Sequence, residues 1–186
     1  MRKDRSPVAI AIEAFRWTSA ALTMAILVGG CDSVESKSGV SGAGGLSDEQ
    51  TRAQVVDPAK RLVDAAGWQR QNFSAVFHFA SCNDQGDPPY QGVVELGFVF
   101  PPGGDQQAEV RRIAGLMVAD GWSDGPPPGQ RPYGHALHRG RLMAIVSPNP
   151  NHPGEGDVKI YGECGNQTDH RGNGTLGLTD IADELA

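Results

Sequence analysis

Every aromatic residue beyond position 30 lies between Trp68 and Tyr161, and that placement decides where a core can form. Aromatic side chains carry the largest apolar areas available for burial. Residues 46–164 therefore supply the domain, and the stretches on either side have little to pack with. A chain of 186 residues holds one ordinary domain and is too short for two large ones. With 16 Lys and Arg against 22 Asp and Glu, the net charge of −6 disfavours neutralising nucleic-acid phosphates, so no nucleic-acid partner is expected.

Within the domain the hydrophobic period changes repeatedly. Ser47, Asp48, Glu49 and Gln50 form a capping-box pattern ahead of Val55, Val56, Ala59, Leu62, Val63 and Ala66 at helical spacing. Pro58 leaves two readings, a single helix with a proline inside or a second helix capped by Asp57; Gly67 stops the element. Residues 72–81 alternate, with Phe73, Ala75, Phe77 and Phe79 on one side, and residues 90–100 follow as a second strand ending at Pro101 and Pro102. A helix starting near Asp105 carries Val110, Ile113, Ala114 and Met117 on one stripe. Short strands are expected at 134–139, 141–147 and 157–164. The order lacks the alternation that forces parallel strands. It predicts an α+β fold, a two-layer sandwich with an antiparallel sheet of about five strands and helices on one face.

Ala65-Ala66-Gly67-Trp68 and Ala119-Asp120-Gly121-Trp122 echo each other 54 residues apart. Either small-Gly-Trp is simply a good helix stop, or a helix-strand-strand unit is duplicated. Residues 165–186 hold no aromatic residue and much Gly, Asn and Asp. They are expected to form a polar, disordered tail with at most a short helix at 179–185.

The amino terminus reads as an export signal. Arg2, Lys3, Arg5 and Arg16 precede an apolar run of secretory length, and no segment reaches the roughly 20 apolar residues of a membrane-spanning helix. Leu27, Val28, Gly29, Gly30 and Cys31 resemble the lipobox of bacterial lipoproteins. That resemblance implies cleavage of residues 1–30, a diacylglyceryl thioether on Cys31 and acylation of the new amino group, palmitate being the usual acyl chain. Two chains give stable anchoring where one would not. Residues 31–45 are rich in Ser and Gly and read as a flexible tether reaching about 20 Å. Removing residues 1–30 takes the net charge to −8, so the tether must hold the body off an anionic lipid surface.

With Cys31 lipidated, Cys82 and Cys164 are the remaining thiols, and export places them in an oxidising compartment. A structural disulfide is expected, because neither cysteine sits in a Cys-x-x-Cys arrangement or beside a basic residue.

Motifs with chemistry are scarce. Gly172-Asn-Gly174-Thr-Leu-Gly177 has dinucleotide spacing but no following helix and acid, and Gly39-Val-Ser41-Gly lies in the tether. The five histidines are His78, His135, His138, His152 and His170. Their spacing fits no metal site: His135 and His138 face opposite sides of a strand. No catalytic residue, metal or cofactor is expected beyond the lipid on Cys31. Two proline-rich loops, 84–92 and 124–134, supply the candidate binding residues Asp87, Tyr90, Arg131 and Tyr133, since proline limits the entropy lost on binding and tyrosine is amphipathic. Rigid strand connection is their alternative role.

Four strings, AQVVDPAKRLV (53–63), SCNDQGDPPYQG (81–92), DGWSDGPPPGQ (120–130) and GECGNQTDH (162–170), stand in that order behind the lipobox. Together they resemble the mycobacterial lipoproteins of the LppJ type over nearly all of the mature chain. The resemblance implies a cell-envelope lipoprotein, aligns Cys82 with Cys164 as a pair, and carries over no catalytic residue. The expected protein is not an enzyme. It is lipid-anchored on the extracytoplasmic face of the cell membrane and acts as a binding or assembly module, its partners being the membrane and an envelope protein or small ligand. The rival is a small envelope enzyme with a site assembled from distant residues. A deep pocket with a titratable cluster favours the enzyme; a flat or grooved surface bordered by Tyr90 and Tyr133 favours binding.

Overall fold

The computed structural model describes residues 45–173 and 177–186. The signal segment 1–30, Cys31 and positions 32–44 of the tether lie outside the described residues.

Helix α1 (Asp48–Ala66) begins where the capping box places it. Ser47 Oγ accepts from the Gln50 amide at 3.1 Å, and Gln50 Oε1 accepts from the Ser47 amide at 2.9 Å. Pro58 lies inside this one helix and is buried on its inner face, which decides between the two readings of residues 47–66. Gly67, at φ 67°, ends it: the Gly67 and Trp68 amides donate to the carbonyls of Asp64 and Val63. Strands β1 (Phe73–Ser81) and β2 (Tyr90–Val99) form an antiparallel pair, followed by α2 (Gln106–Ala119), which Asp105 caps. Then come β3 (Ser123–Asp124), β4 (His135–Arg139), β5 (Leu142–Pro148), β6 (Glu155–Tyr161), β7 (Thr179–Asp180) and α3 (Ala182–Leu185).

The fold is α+β, with one antiparallel sheet in the order β3-β4-β5-β6-β2-β1-β7. It has seven strands where about five were expected. The two additions, β3 and β7, have two residues each, too few to leave an alternating pattern. The last long strand starts at Glu155 and stops at Tyr161, which leaves Cys164 in the segment that follows.

One core joins the helices to the sheet. Val55, Leu62 and Val63 of α1, Ile113 and Met117 of α2, and Leu185 of α3 pack with Phe77, Leu96, Ile160 and Val146 of the strands. Gly92 lets α1 approach β2: a Cβ there would lie 2.7 Å from the Thr51 carbonyl oxygen. The echoed Gly-Trp pairs act alike as helix stops, since the Trp68 and Trp122 amides donate to Val63 and Met117 carbonyls. They do not mark a superposable repeat. β1 and β4 run in the same direction, their hairpins mirror each other about β6, and both helices share one core, so the two helix-hairpin units have opposite hand and no rotation relates them.

The disordered tail expected from composition is corrected for the described residues. Asn166 is fully buried; its amide nitrogen donates to Asp48 Oδ1 at 2.7 Å and Thr51 Oγ1 at 3.2 Å, while its backbone bridges to Tyr90. Further on, β7 pairs with β1, and Ile181, Ala182 and Leu185 enter the core. Three apolar side chains suffice because the sheet edge and α1 have already formed the pocket that receives them.

Candidate functional site

The helices cover one face of the sheet, and the period-two alternation sends the other half of the strand side chains to the opposite face. The pairing register arranges that second face in three rows. His78, Val93, Tyr161, Met143 and His138 form the first; Val76, Glu95, Lys159, Ile145 and Ala136 the second; Ser74, Gly97, Asp157 and Ser147 the third. Most of these residues are half-buried, the mark of a sheet face that no helix among the described residues covers.

Two depressions lie on this face and adjoin at Ile145 and Tyr161. The larger, 690 Å³, is bounded by Cys82, Cys164, Gln91, Gln130, Arg141 and Met143. The smaller, 530 Å³, is bounded by Glu95, Lys159, Asp157, Tyr133, Asn151 and His152. The Cys82–Cys164 disulfide fixes the rim of the first by tying the β1–β2 loop to the segment after β6. Ser81 and Asn83 brace that loop: Ser81 Oγ donates to the Asp87 carbonyl at 2.7 Å, and the Asn83 amide donates to the same oxygen at 2.9 Å. Asn149 braces the other end, its Oδ1 accepting from the amides of Asn151 and His152.

A charged cluster sits on the wall of the smaller depression. Lys159 Nζ lies 2.9 Å from Glu95 Oε2, and His78 Nε2 lies 3.4 Å from Glu95 Oε1. Burial opposes ionisation of Glu95, but the hydrogen bond and charge of Lys159, with His78 adding, hold its carboxyl below the usual range. The same hydrogen bond raises Lys159. Asp157 moves the other way, pushed up mainly by burial although the Asn149 amide donates to it at 3.2 Å. Burial also pushes the Tyr161 phenol up. Glu95 and Lys159 hold opposite charges at contact distance.

The residues singled out from sequence fall in different places. Tyr133 is 88% exposed and lines the smaller depression. Arg131 is exposed in the same loop. Tyr90, expected to border a binding groove, is instead 4% exposed, and its hydroxyl donates to the Gly86 carbonyl, so it is a pillar of its loop. Asp87 accepts from Arg171 Nη1 at 2.8 Å and fastens that loop to the chain after β6. The histidines are dispersed: His135 contacts Asp124 at 2.8 Å, His138 the Gly125 carbonyl at 2.9 Å, and His170 stacks on Phe79 at 3.8 Å between centroids. Glu95, Lys159, Asp157, Tyr161 and Gln91 went unnoticed in the sequence. Their signal was the polar half of the alternation in β2 and β6, legible once both strands share a register.

Similarity to known proteins accords with this geometry. The sequence profile of the family described as "Putative lipoprotein LppJ" matches residues 47–184, from the cap of α1 into α3. The chain belongs to the LppJ lipoprotein family. LppJ proteins of Mycobacterium tuberculosis strain H37Rv and of Mycobacterium bovis strain AF2122/97 are each 46% identical to it over 125 residues, which is 67% of this chain and 64% of theirs. The aligned part thus spans under two thirds of the length of these LppJ relatives. No solved structure matches the chain. The LppJ match takes in the tail segment through Glu184, so the packing of α3 belongs to the family domain.

Proposed function

We propose that this chain is a lipid-anchored envelope lipoprotein, tethered through Cys31 on the extracytoplasmic face of the cell membrane, and that its domain is a binding module rather than an enzyme. The observation that carries the reading is the open sheet face, where two adjoining depressions form one trough that no helix or strand among the described residues roofs. Ligand sites combine a concave surface with a few convergent polar groups, and this trough has both. Four of its charged groups pair with one another, Glu95 with Lys159 and, at 3.9 Å, Glu163 with Arg141, where a general acid or base needs a proton partner in the substrate. The family name supports the lipoprotein part, and the lipobox supports Cys31 as the point of attachment.

Photo-cross-linking in intact membranes tests the binding reading. A benzoylphenylalanine at Met143, on the open face, is expected to capture a ligand, while the same group at Val118, exposed on the helix layer, is expected to capture none. Capture from Val118 alone, or from neither, overturns it.

A further inference from the structure

The trough's side chains define the chemistry of what lies in it. Ile145 and Tyr161 belong to both depressions, so one ligand can run along β5, about 14 Å from Met143 to Ser147 at ~3.4 Å per residue. Some polar groups are already engaged in bracing loops, namely Ser81, Asn83 and Asn149. Others are not: the side chains of Gln91, Gln130, Tyr133, Ser147, Asn151 and Tyr161 line the trough without a hydrogen-bond partner among the described residues. Such groups are set to bond something from outside.

Charge narrows the class. Lys159 pairs with Glu95 and Arg141 faces Glu163, which leaves Asp84 and Asp157 with no cationic partner among the described residues. The surplus is acidic and repels phosphate, sulfate or carboxylate ligands. An acyl chain requires an enclosed apolar sleeve, and here the apolar lining, made by Met143, Ile145, Pro150, the Tyr133 and Tyr161 rings and the disulfide, is an open strip. An extended peptide is held by backbone pairing at a sheet edge, whereas this trough lies on the face of the sheet, over strands whose backbones are already paired on both sides. What fits is a neutral, polyhydroxylated ligand with an apolar C–H face. Carboxamides place a donor beside an acceptor, as adjacent hydroxyls require. Tyrosines offer an apolar ring with a polar tip.

We propose that the trough binds a neutral oligosaccharide, laid along Ile145 and the ring of Tyr161 and hydrogen-bonded by the carboxamides of Gln91, Gln130 and Asn151. This rests on the binding-module reading and gives it a ligand class. Tyr133, in the proline-rich loop 124–134, closes over the chain from the side of β4.

Calorimetry on the full lipidated chain in zwitterionic detergent tests it. The probes are cellohexaose, mannohexaose, chitohexaose and neutral polysaccharide released from the producing cell's own wall; glycerophosphoglycerol, the soluble headgroup of phosphatidylglycerol, and an uncharged hexapeptide serve as the competing classes. At least one neutral glycan is expected to bind. Tyr161→Ala and Gln91→Ala are each expected to weaken binding tenfold or more, and Tyr161→Phe less than Tyr161→Ala. Val118→Ala is expected to leave it unchanged, with far-UV circular dichroism establishing that every variant is folded. Absence of binding to every glycan, binding indifferent to both Tyr161→Ala and Gln91→Ala, or preference for glycerophosphoglycerol or the peptide overturns the proposal. If Met143 still cross-links in membranes while no glycan binds, the oligosaccharide falls and the binding module stands; if neither occurs, both fall.

Discussion

Glu95 shows how one position takes its properties from its neighbours across strands. It sits mid-strand on the half-buried open face, and its pairing partner on β6 is Lys159. A carboxylate whose folded pKa lies below its unfolded one stabilises the fold above the unfolded value and loses that contribution as pH falls through the folded value. Glu95 therefore contributes at neutral pH and ceases to in acid. Lys159→Met removes the leading favourable influence and leaves burial, which acts in the opposite direction. The Glu95 titration, followed by carboxyl-carbon NMR, is expected to move upward in that variant, and the stability of the protein is expected to fall less between pH 7 and pH 4 than in the wild type. An unchanged Glu95 titration would show that the pair does not govern the carboxylate. None of this was legible along the chain, because Glu95 and Lys159 stand in different strands and only register brings them together.

At the scale of elements, what is local is legible and what is remote is not. Helices α1 and α2 carry their own caps and apolar stripes, so Ser47, Gly67, Asp105 and the Val110-Ile113-Ala114-Met117 face announce them. The alternation of β1 does the same. At the carboxyl terminus the short helix was legible at 179–185, where α3 forms, but β7 and the docking of α3 were not, since their few apolar residues gain meaning only against β1 and α1. Arg52 meets Glu184 and Arg70 meets Asp183 there, but these pairs are largely exposed and screened by solvent. Leu185 is 0% exposed, and its truncation leaves a cavity. Leu185→Ala is expected to cost about 3 kcal/mol in urea unfolding, within the range for buried leucines, whereas Glu184→Ala costs less than ~1 kcal/mol. Equal effects would mean that charge rather than burial holds the tail.

For the whole molecule, the covalent links set what the fold can tolerate and where it resides. The Cys82–Cys164 pairing was legible because the lipobox accounts for Cys31 and leaves these two; the trough it borders was not, because its wall comes from β2, β5, β6 and two loops. The bridge spans a sequence separation of 82. In the chain-entropy picture a loop of this length is worth about 4.5 kcal/mol. Joint replacement of Cys82 and Cys164 by serine is expected to lower unfolding stability by about 4 kcal/mol, mainly as a shift of the urea midpoint; a loss below ~1 kcal/mol would mean that the unfolded chain is already restrained. The proposed attachment at Cys31 would work on position instead. The proposed cleavage before it would leave a body of net charge −8, which an anionic leaflet repels, so the acyl chains alone would keep the domain at the surface. Because two chains anchor stably and none leaves only repulsion, the effect of losing the sulfur is close to all or none. Cys31→Ala is expected to abolish fatty-acyl mass and to shift the protein either to the soluble fraction or to an unprocessed form retaining residues 1–30. Raising the salt concentration in the wash is expected to leave the wild type in the membrane fraction, since hydrophobic anchoring, unlike charge attraction, is not screened. Membrane retention of Cys31→Ala at its mature mass would place the attachment elsewhere on the chain.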